Sequence, residues 1–242
     1  MAVVQTGSTL SFTAGNANTG TVSSTITVPA DAELVCVGVS CFSTTANFFS
    51  GGSLTFTKSG VDTAMTGGSN LGDSNTGAMM STLWYLALPD TGANKTLKWD
   101  WAGSAAASQA DCIFSVTFWK GNDTSSPVRS TSGGQSGSAP PYTTGTLTAV
   151  SGDLIIAYVA AFNPATDDGP STWSNLSLLS NLTNSANGTD GAWGTGSPSG
   201  NTTVAMSSTT GGFWQDGGIV AIVVKQAAAG DTFANNGHVI FI

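Results

Sequence analysis

Along most of this chain apolar and polar positions alternate every second residue, and the alternating stretches end in clusters of Gly, Ser, Asn and Asp. A period of two marks a β-strand with one face in a core, and such clusters supply the turns between strands. The pattern predicts strands at Ser8–Thr13, Ser23–Val28, Glu33–Phe42, Ser53–Lys58, Ser81–Leu88, Lys95–Trp101 and Asp111–Lys120. A second series follows at Gly145–Val150, Asp153–Phe162, Trp173–Leu179, Thr202–Ser207 and Gly217–Lys225. In Asp111–Lys120, Cys112, Phe114, Val116 and Phe118 share one face, and Ser115 and Thr117 share the other. No segment carries a stripe of helical period over the length of an ordinary helix, and only the short patches Ala105–Ala107 and Ala227–Ala229 have helix-forming composition.

Two predicted strands break the alternation. Glu33–Phe42 and Asp153–Phe162 are apolar on both faces, so each needs cover on both sides, from a second layer or a neighbouring subunit. They also anchor an internal repeat. Thr25-Ile-Thr-Val-Pro followed by Leu34-Val-Cys-Val-Gly-Val-Ser-Cys-Phe42 matches Thr146-Leu-Thr-Ala-Val followed by Leu154-Ile-Ile-Ala-Tyr-Val-Ala-Ala-Phe162. Thr96-Leu-Lys-Trp99 then matches Thr203-Val-Ala-Met206, and Ile113–Phe118 matches Ile219–Val224. The chain divides accordingly into an N-terminal strand or arm (1–21), a first repeat (22–121), a Pro/Gly/Ser-rich crossover (122–144), a second repeat (145–225) and a C-terminal arm (226–242). The expected fold is all-β, a jelly-roll-like sandwich of about twelve strands with an internal duplication and almost no helix. Two arrangements fit, a separate sandwich from each half or one interleaved sandwich. The interleaved form is preferred, because a shared core would cover the doubly apolar strands.

Composition narrows the class. Only 8% of residues are charged, yet 40% are hydrophobic, with 7 Trp and 11 Phe, so the chain has the material for a sizeable core. The net charge is −8, which argues against a nucleic-acid partner and against an anionic membrane, both of which require Lys/Arg clusters. The opening MAVVQTGSTLSFTAG lacks the basic and long apolar regions of a signal peptide, and no apolar run reaches the ~18 residues of a membrane helix. Cys36 and Cys41 lie at odd spacing in one strand, hence on opposite faces, and cannot pair with each other. Three free buried thiols in a protein made in reducing cytoplasm is the favoured reading, and a bridge from Cys112 to one of the others is the minor alternative.

Catalytic chemistry is sparse. His238 is the sole histidine and has no orienting partner nearby, so Ser-His-Asp and Cys-His machinery is hard to assemble. Asp100, Asp111, Asp167, Asp168 and Asp190 show no spacing that specifies a glycosidase pair. Asp167-Asp168-Gly169 and Gly72-Asp-Ser-Asn75 read as Asx turns before they read as calcium loops. The expectation is therefore a non-enzyme with no cofactor and no metal. Trp84, Trp99 and Trp119 fall in strands, whereas Trp173, Trp193 and Trp214 lie in or beside Gly/Ser-rich stretches. Those three are the candidate ligand or interface aromatics, with capping of a sandwich end as the plainer role. After the repeat closes, Phe233 and the β-prone Val239, Ile240, Phe241 and Ile242 form the candidate assembly arm, which would dock as a strand on a sheet edge.

The order Leu34-Val-Cys-Val-Gly-Val, Ser53-Leu-Thr-Phe, Leu83-Trp-Tyr-Leu-Ala-Leu-Pro89, Lys95-Thr-Leu-Lys-Trp, Phe114-Ser-Val-Thr-Phe and Gly152-Asp-Leu-Ile-Ile-Ala resembles a loose family of β-sandwich structural proteins of phage genomes and bacterial secreted proteins. The resemblance spans roughly residues 22 to 226 and brings no catalytic residues. It implies a virion surface protein, foremost a capsid decoration or cement protein that forms a homo-oligomer, a trimer, on the major capsid protein or other virion proteins. A receptor- or carbohydrate-binding module of a tail fibre or adhesin is the alternative.

Overall fold

The computed structural model describes residues 2–14, 21–43, 53–67, 71–72, 78–100, 111–136, 140–162, 171–184, 189–208 and 216–228. The first half contributes β1 (Val4–Gln5), β2 (Leu10–Ala14), β3 (Thr21–Val28), β4 (Leu34–Ser43), β5 (Ser53–Lys58), β6 (Val61–Ala64), β7 (Thr66–Gly67), β8 (Leu71–Gly72), β9 (Ala78–Ala87), β10 (Gly92–Asp100) and β11 (Asp111–Lys120). The second half contributes β12 (Val128–Ser136), β13 (Tyr142–Thr143), β14 (Leu154–Phe162), β15 (Ser171–Ser174), β16 (Ser177–Asn184), β17 (Thr189–Gly196), β18 (Ala205–Ser208) and β19 (Asp216–Val224). The chain is all-β and sandwich-like, with every strand pairing antiparallel.

Four sheets form. The first inner sheet has the order β1-β11-β4-β9-β7, with β2 also on β11 and β8 also on β9, and the first outer sheet is β3-β10-β5-β6. The second inner sheet is β12-β19-β14-β17-β16 and the second outer sheet is β13-β18-β15. Among the described residues each sheet draws all its strands from one half, so the halves do not interleave, contrary to the preference drawn from the sequence. The duplication is visible in the topology: β11, β4 and β9 stand in the first inner sheet where β19, β14 and β17 stand in the second.

The doubly apolar strands explain the stacking. Val35, Val37, Val39 and Cys41 of β4 face the first outer sheet and share a core with Leu54, Phe56, Leu97 and Trp99. Ile155, Ala157, Val159 and Ala161 of β14 face the second outer sheet, with Tyr142, Val204 and Met206. The opposite faces meet each other: Leu34, Cys36, Leu83 and Trp119 pack against Ile156, Tyr158, Trp193, Val220 and Ile222. The layers therefore run outer, inner, inner, outer. Each doubly apolar strand is covered by its own outer sheet and by the other half's inner sheet, with no need of a second subunit.

Several strands depart from expectation. Gly145–Val150 forms no strand and contributes only the bridge Leu147↔Thr202. Trp173–Leu179 splits into β15 and β16 around Asn175, whose φ of 64° turns the chain from the second outer to the second inner sheet. Residues 122–144 do pass from one half to the other, and on the way they supply β12, which pairs along β19. The Ala105–Ala107 patch lies outside the described residues.

One fit fixes how the halves meet. The ring of Tyr158 lies against Gly38, where any Cβ would overlap it, and its hydroxyl lies against Gly191, where a Cβ would do the same. Gly38→Ala is expected to lower stability by about 1–3 kcal/mol, the usual cost of forcing atoms into a packed core. In a Tyr158→Ala background the same change should cost several-fold less, because the atoms it strikes are gone. Denaturant melts of the four chains check this, and equal costs in both backgrounds would show that the two residues do not meet.

Candidate functional site

The greatest concentration of polar side chains in the interior lies where the two inner sheets meet. Alternation along β11 sends Cys112, Phe114, Val116 and Phe118 into the first core, and leaves Ser115 and Thr117 on the face turned to the second half. A face read from the sequence as the polar side of a half-buried strand is thus fully buried. Its hydroxyls are occupied. Ser115 Oγ accepts a hydrogen bond from Trp193 Nε1 at 2.8 Å, and Thr117 Oγ1 accepts one from Trp119 Nε1 at 2.9 Å. Ser40 Oγ and Tyr158 Oη share a hydrogen bond of 2.6 Å across the halves, and the Tyr158 and Trp193 rings lie 4.8 Å apart. Burial pushes the Tyr158 hydroxyl and the Cys36 thiol well above their ordinary pKa values, so both stay protonated and neutral at physiological pH.

The cysteines correct the sequence reading. Cys41 and Cys112 sit directly opposite each other in the β4–β11 ladder, their Cα atoms 4.2 Å apart, and form a disulfide. Cys36 alone is free, on the opposite face of β4 as its odd spacing requires. The favoured reading of three free thiols thus gives way to the minor alternative, the bridge from Cys112.

The carboxylates serve the fold. Asp31 accepts hydrogen bonds from Lys120 Nζ and Thr6 Oγ1, and these hold its carboxyl below the usual range. Asp90 is lowered by the backbone amides of Gly60 and Ser59, which it caps at the β5–β6 turn. Asp123 is lowered by the Ser125 hydroxyl and the Ser126 amide. Asp153 is buried and grips Arg129 with both oxygens, at 2.6 and 3.2 Å, while also accepting from Val150 N. Of the carboxylates considered for glycosidase work, Asp100 ends β10 in the first outer sheet and Asp190 is buried in β17 of the second inner sheet. A whole sheet lies between them, so they do not form a facing pair. Asp167, Asp168 and Asp73 lie outside the described residues, and among those described no three His, Cys or carboxylate groups converge as a metal site requires.

Trp193 is not a loop aromatic. It sits in β17, is fully buried, and binds Ser115 across the seam. Trp173, in β15, is half-buried and packs into the second core over Gly194, where a Cβ would come within 2.7 Å of its ring. Trp214 and the arm residues Phe233, Val239, Ile240, Phe241 and Ile242 lie outside the described residues. The chain leading to the arm is tied down: Gln226 bridges Asn122, and Ala227 N donates to Gly121 O at 3.0 Å. The sequence reading misses the Tyr158–Ser40 and Trp193–Ser115 pairs. The signal is present, since a strand apolar on both faces must stack on another sheet. No family model, no curated protein and no solved structure matches this chain.

Trp193→Phe keeps most of the ring volume but removes one of the two hydrogen bonds of Ser115 Oγ, which still donates to Leu10 O, and is expected to cost about 1 kcal/mol of stability. Because the ring is sealed, ligand binding by the folded protein should not change. A glycan or protein ligand whose affinity falls in this variant at unchanged thermal midpoint would contradict the packing role.

Proposed function

We propose that this chain is a structural, non-enzymatic surface protein of a virion, acting as a capsid decoration protein that contacts the major capsid protein or another virion component. The observation that carries the reading is the construction of the slab. Its described tryptophans are spent on packing, while its two outer layers turn hydroxyls outward on opposite sides, with Ser23, Thr25 and Thr27 of β3 exposed on one, and Thr143 of β13 with Thr146 and Thr148 of the segment that follows it on the other. Such a body can be held on a particle and still tolerate water on both flanks. The disulfide fits the same setting, since such bonds persist on virion and cell surfaces. The sequence features that resemble phage β-sandwich proteins support it further.

The inner sheets cover each other, so the contacts that build an oligomer lie on the outer faces, the sheet edges or the segment 229–242. The reading involves no cofactor, no nucleic acid and no membrane. The adhesin reading draws on three loop tryptophans and the acidic loops; of these, Trp193 is sealed in the seam and Trp173 packs on the second core. Cryo-EM of particles carrying this protein is expected to show a four-layer β slab at symmetric positions on the capsid surface. Capsids without it are expected to open at lower temperature. Its absence from particles, or density confined to the tail tip, would overturn the assignment.

A further inference from the structure

The two halves close their sandwiches differently along one side. In the second half, β12 at the edge of the inner sheet is sewn to the edge of the outer sheet. Ser130 Oγ donates to Thr148 O at 2.8 Å, Arg129 binds Asp153, and Gly134 lies so close to the Thr143 carbonyl that no Cβ fits. In the first half the corresponding edges are β1 with β2 above and β3 below, as the approach of Gly7 to Pro29 shows. Thr6 and Asp31 close that end. Farther along, Leu10, Phe12 and Val22 pack on the core yet remain only partly buried. Among the described residues nothing seals the first core along this edge.

The strand bordering the opening lacks the usual safeguards. Among the described residues β3 pairs only with β10, leaving one row of backbone groups free. Its register is unbroken from Thr21 to Ile26, and its eight residues include no charge and no proline. The other described edges are shorter or interrupted. β12 and β16 carry register shifts, β6 is four residues long and bears Asp62, β15 is four residues and β2 five, and β1, β7, β8 and β13 are two residues each. A long, flat, uncharged edge is a template for another strand, and proteins that keep one exposed aggregate unless it is used.

We propose that the β3 edge is the interface with a second copy of this chain, two β3 strands pairing antiparallel about a two-fold axis at Ser24 to join the first outer sheets into one. The strand is complementary to itself in that register. Ser23 of one copy meets Thr25 of the other on the outward face, and Val22 meets Ile26 on the inward face. Hydroxyl pairs and β-branched pairs are both favourable across antiparallel strands, and the absence of charge removes like-charge opposition. The inward pair brings the partner's Ile26 against the half-exposed Val22, near Leu10 and Phe12, and so completes the core. This inference does not depend on the virion reading.

The test uses the full chain and two surface variants, Ser23→Lys with Thr25→Lys, and Ser23→Asp with Thr25→Asp. Both positions are exposed, but Ser23 lies opposite Lys98 in the β10 ladder, so the lysine variant should melt somewhat below the aspartate variant, and each is checked for a parent-like far-UV circular dichroism spectrum before sedimentation. The parent is expected to sediment as a dimer, and each variant to dissociate with a constant raised about tenfold or more, since the proposed register sets like charges directly opposite. An equimolar mixture of the two variants should recover the dimer, because each introduced ammonium then faces an introduced carboxylate. A monomeric parent, a trimer that both variants preserve, or a mixture that stays monomeric would each overturn the proposal.

Discussion

The whole structure depends on one constraint: β4 and β14 are apolar on both faces, and a strand of that kind is stable only with a sheet on each side. Each half supplies one cover from its own outer sheet. Each obtains the other by stacking on its counterpart's inner sheet, with Leu34, Cys36 and Leu83 against Ile156, Tyr158 and Trp193. Complementarity of shape then fixes the stacking. Gly38 and Tyr158 occupy equivalent positions in the repeat, and they meet as hole and knob. Two first halves stacked this way would leave a cavity at Gly38, and two second halves would drive tyrosine rings together. The polar atoms in the seam add direction, because Ser40, Ser115 and Thr117 are buried and each needs its hydrogen bond where it lies. The slab is thus a pseudo-dimer whose halves have become specific for each other.

Divergence between the halves explains where function can reside. The first half holds its central strands together with the Cys41–Cys112 bond, where the second half pairs Ala161 of β14 with Gly217 of β19. The second half closes its side edge with Arg129, Asp153 and Ser130. The first half leaves that edge open beside Val22. With the inner faces consumed in the seam, interaction with other molecules falls to edges and outer faces.

Much of this is legible in the sequence. Ser53–Lys58 and Asp111–Lys120 can be placed to the residue, because their alternation is clean and their ends carry turn residues. The repeat is visible through Leu34–Phe42 and Leu154–Phe162. What escapes the sequence does so for physical reasons. Thr189–Gly196 does not read as a strand because Gly191, Gly194 and Gly196 look like turn chemistry, whereas Gly191 and Gly194 make room for Tyr158 and Trp173. That misreading places Trp193 in a loop and makes it a candidate ligand or interface aromatic. The Cys41–Cys112 bond links two strands whose pairing depends on a register across 71 residues of chain, which no local pattern encodes. Val128–Ser136 is hidden by its Ser and Gly content, since its ladder to β19 comes from backbone atoms more than from side chains.

The central claim is that the seam makes the two sandwiches one cooperative unit. Differential scanning calorimetry of the intact chain tests it most directly. A single transition is expected, with calorimetric and van't Hoff enthalpies equal. Two resolved transitions, or a calorimetric enthalpy near twice the van't Hoff value, would mean that each half stands on its own core and that the packing of Tyr158 against Gly38 does not hold the fold together.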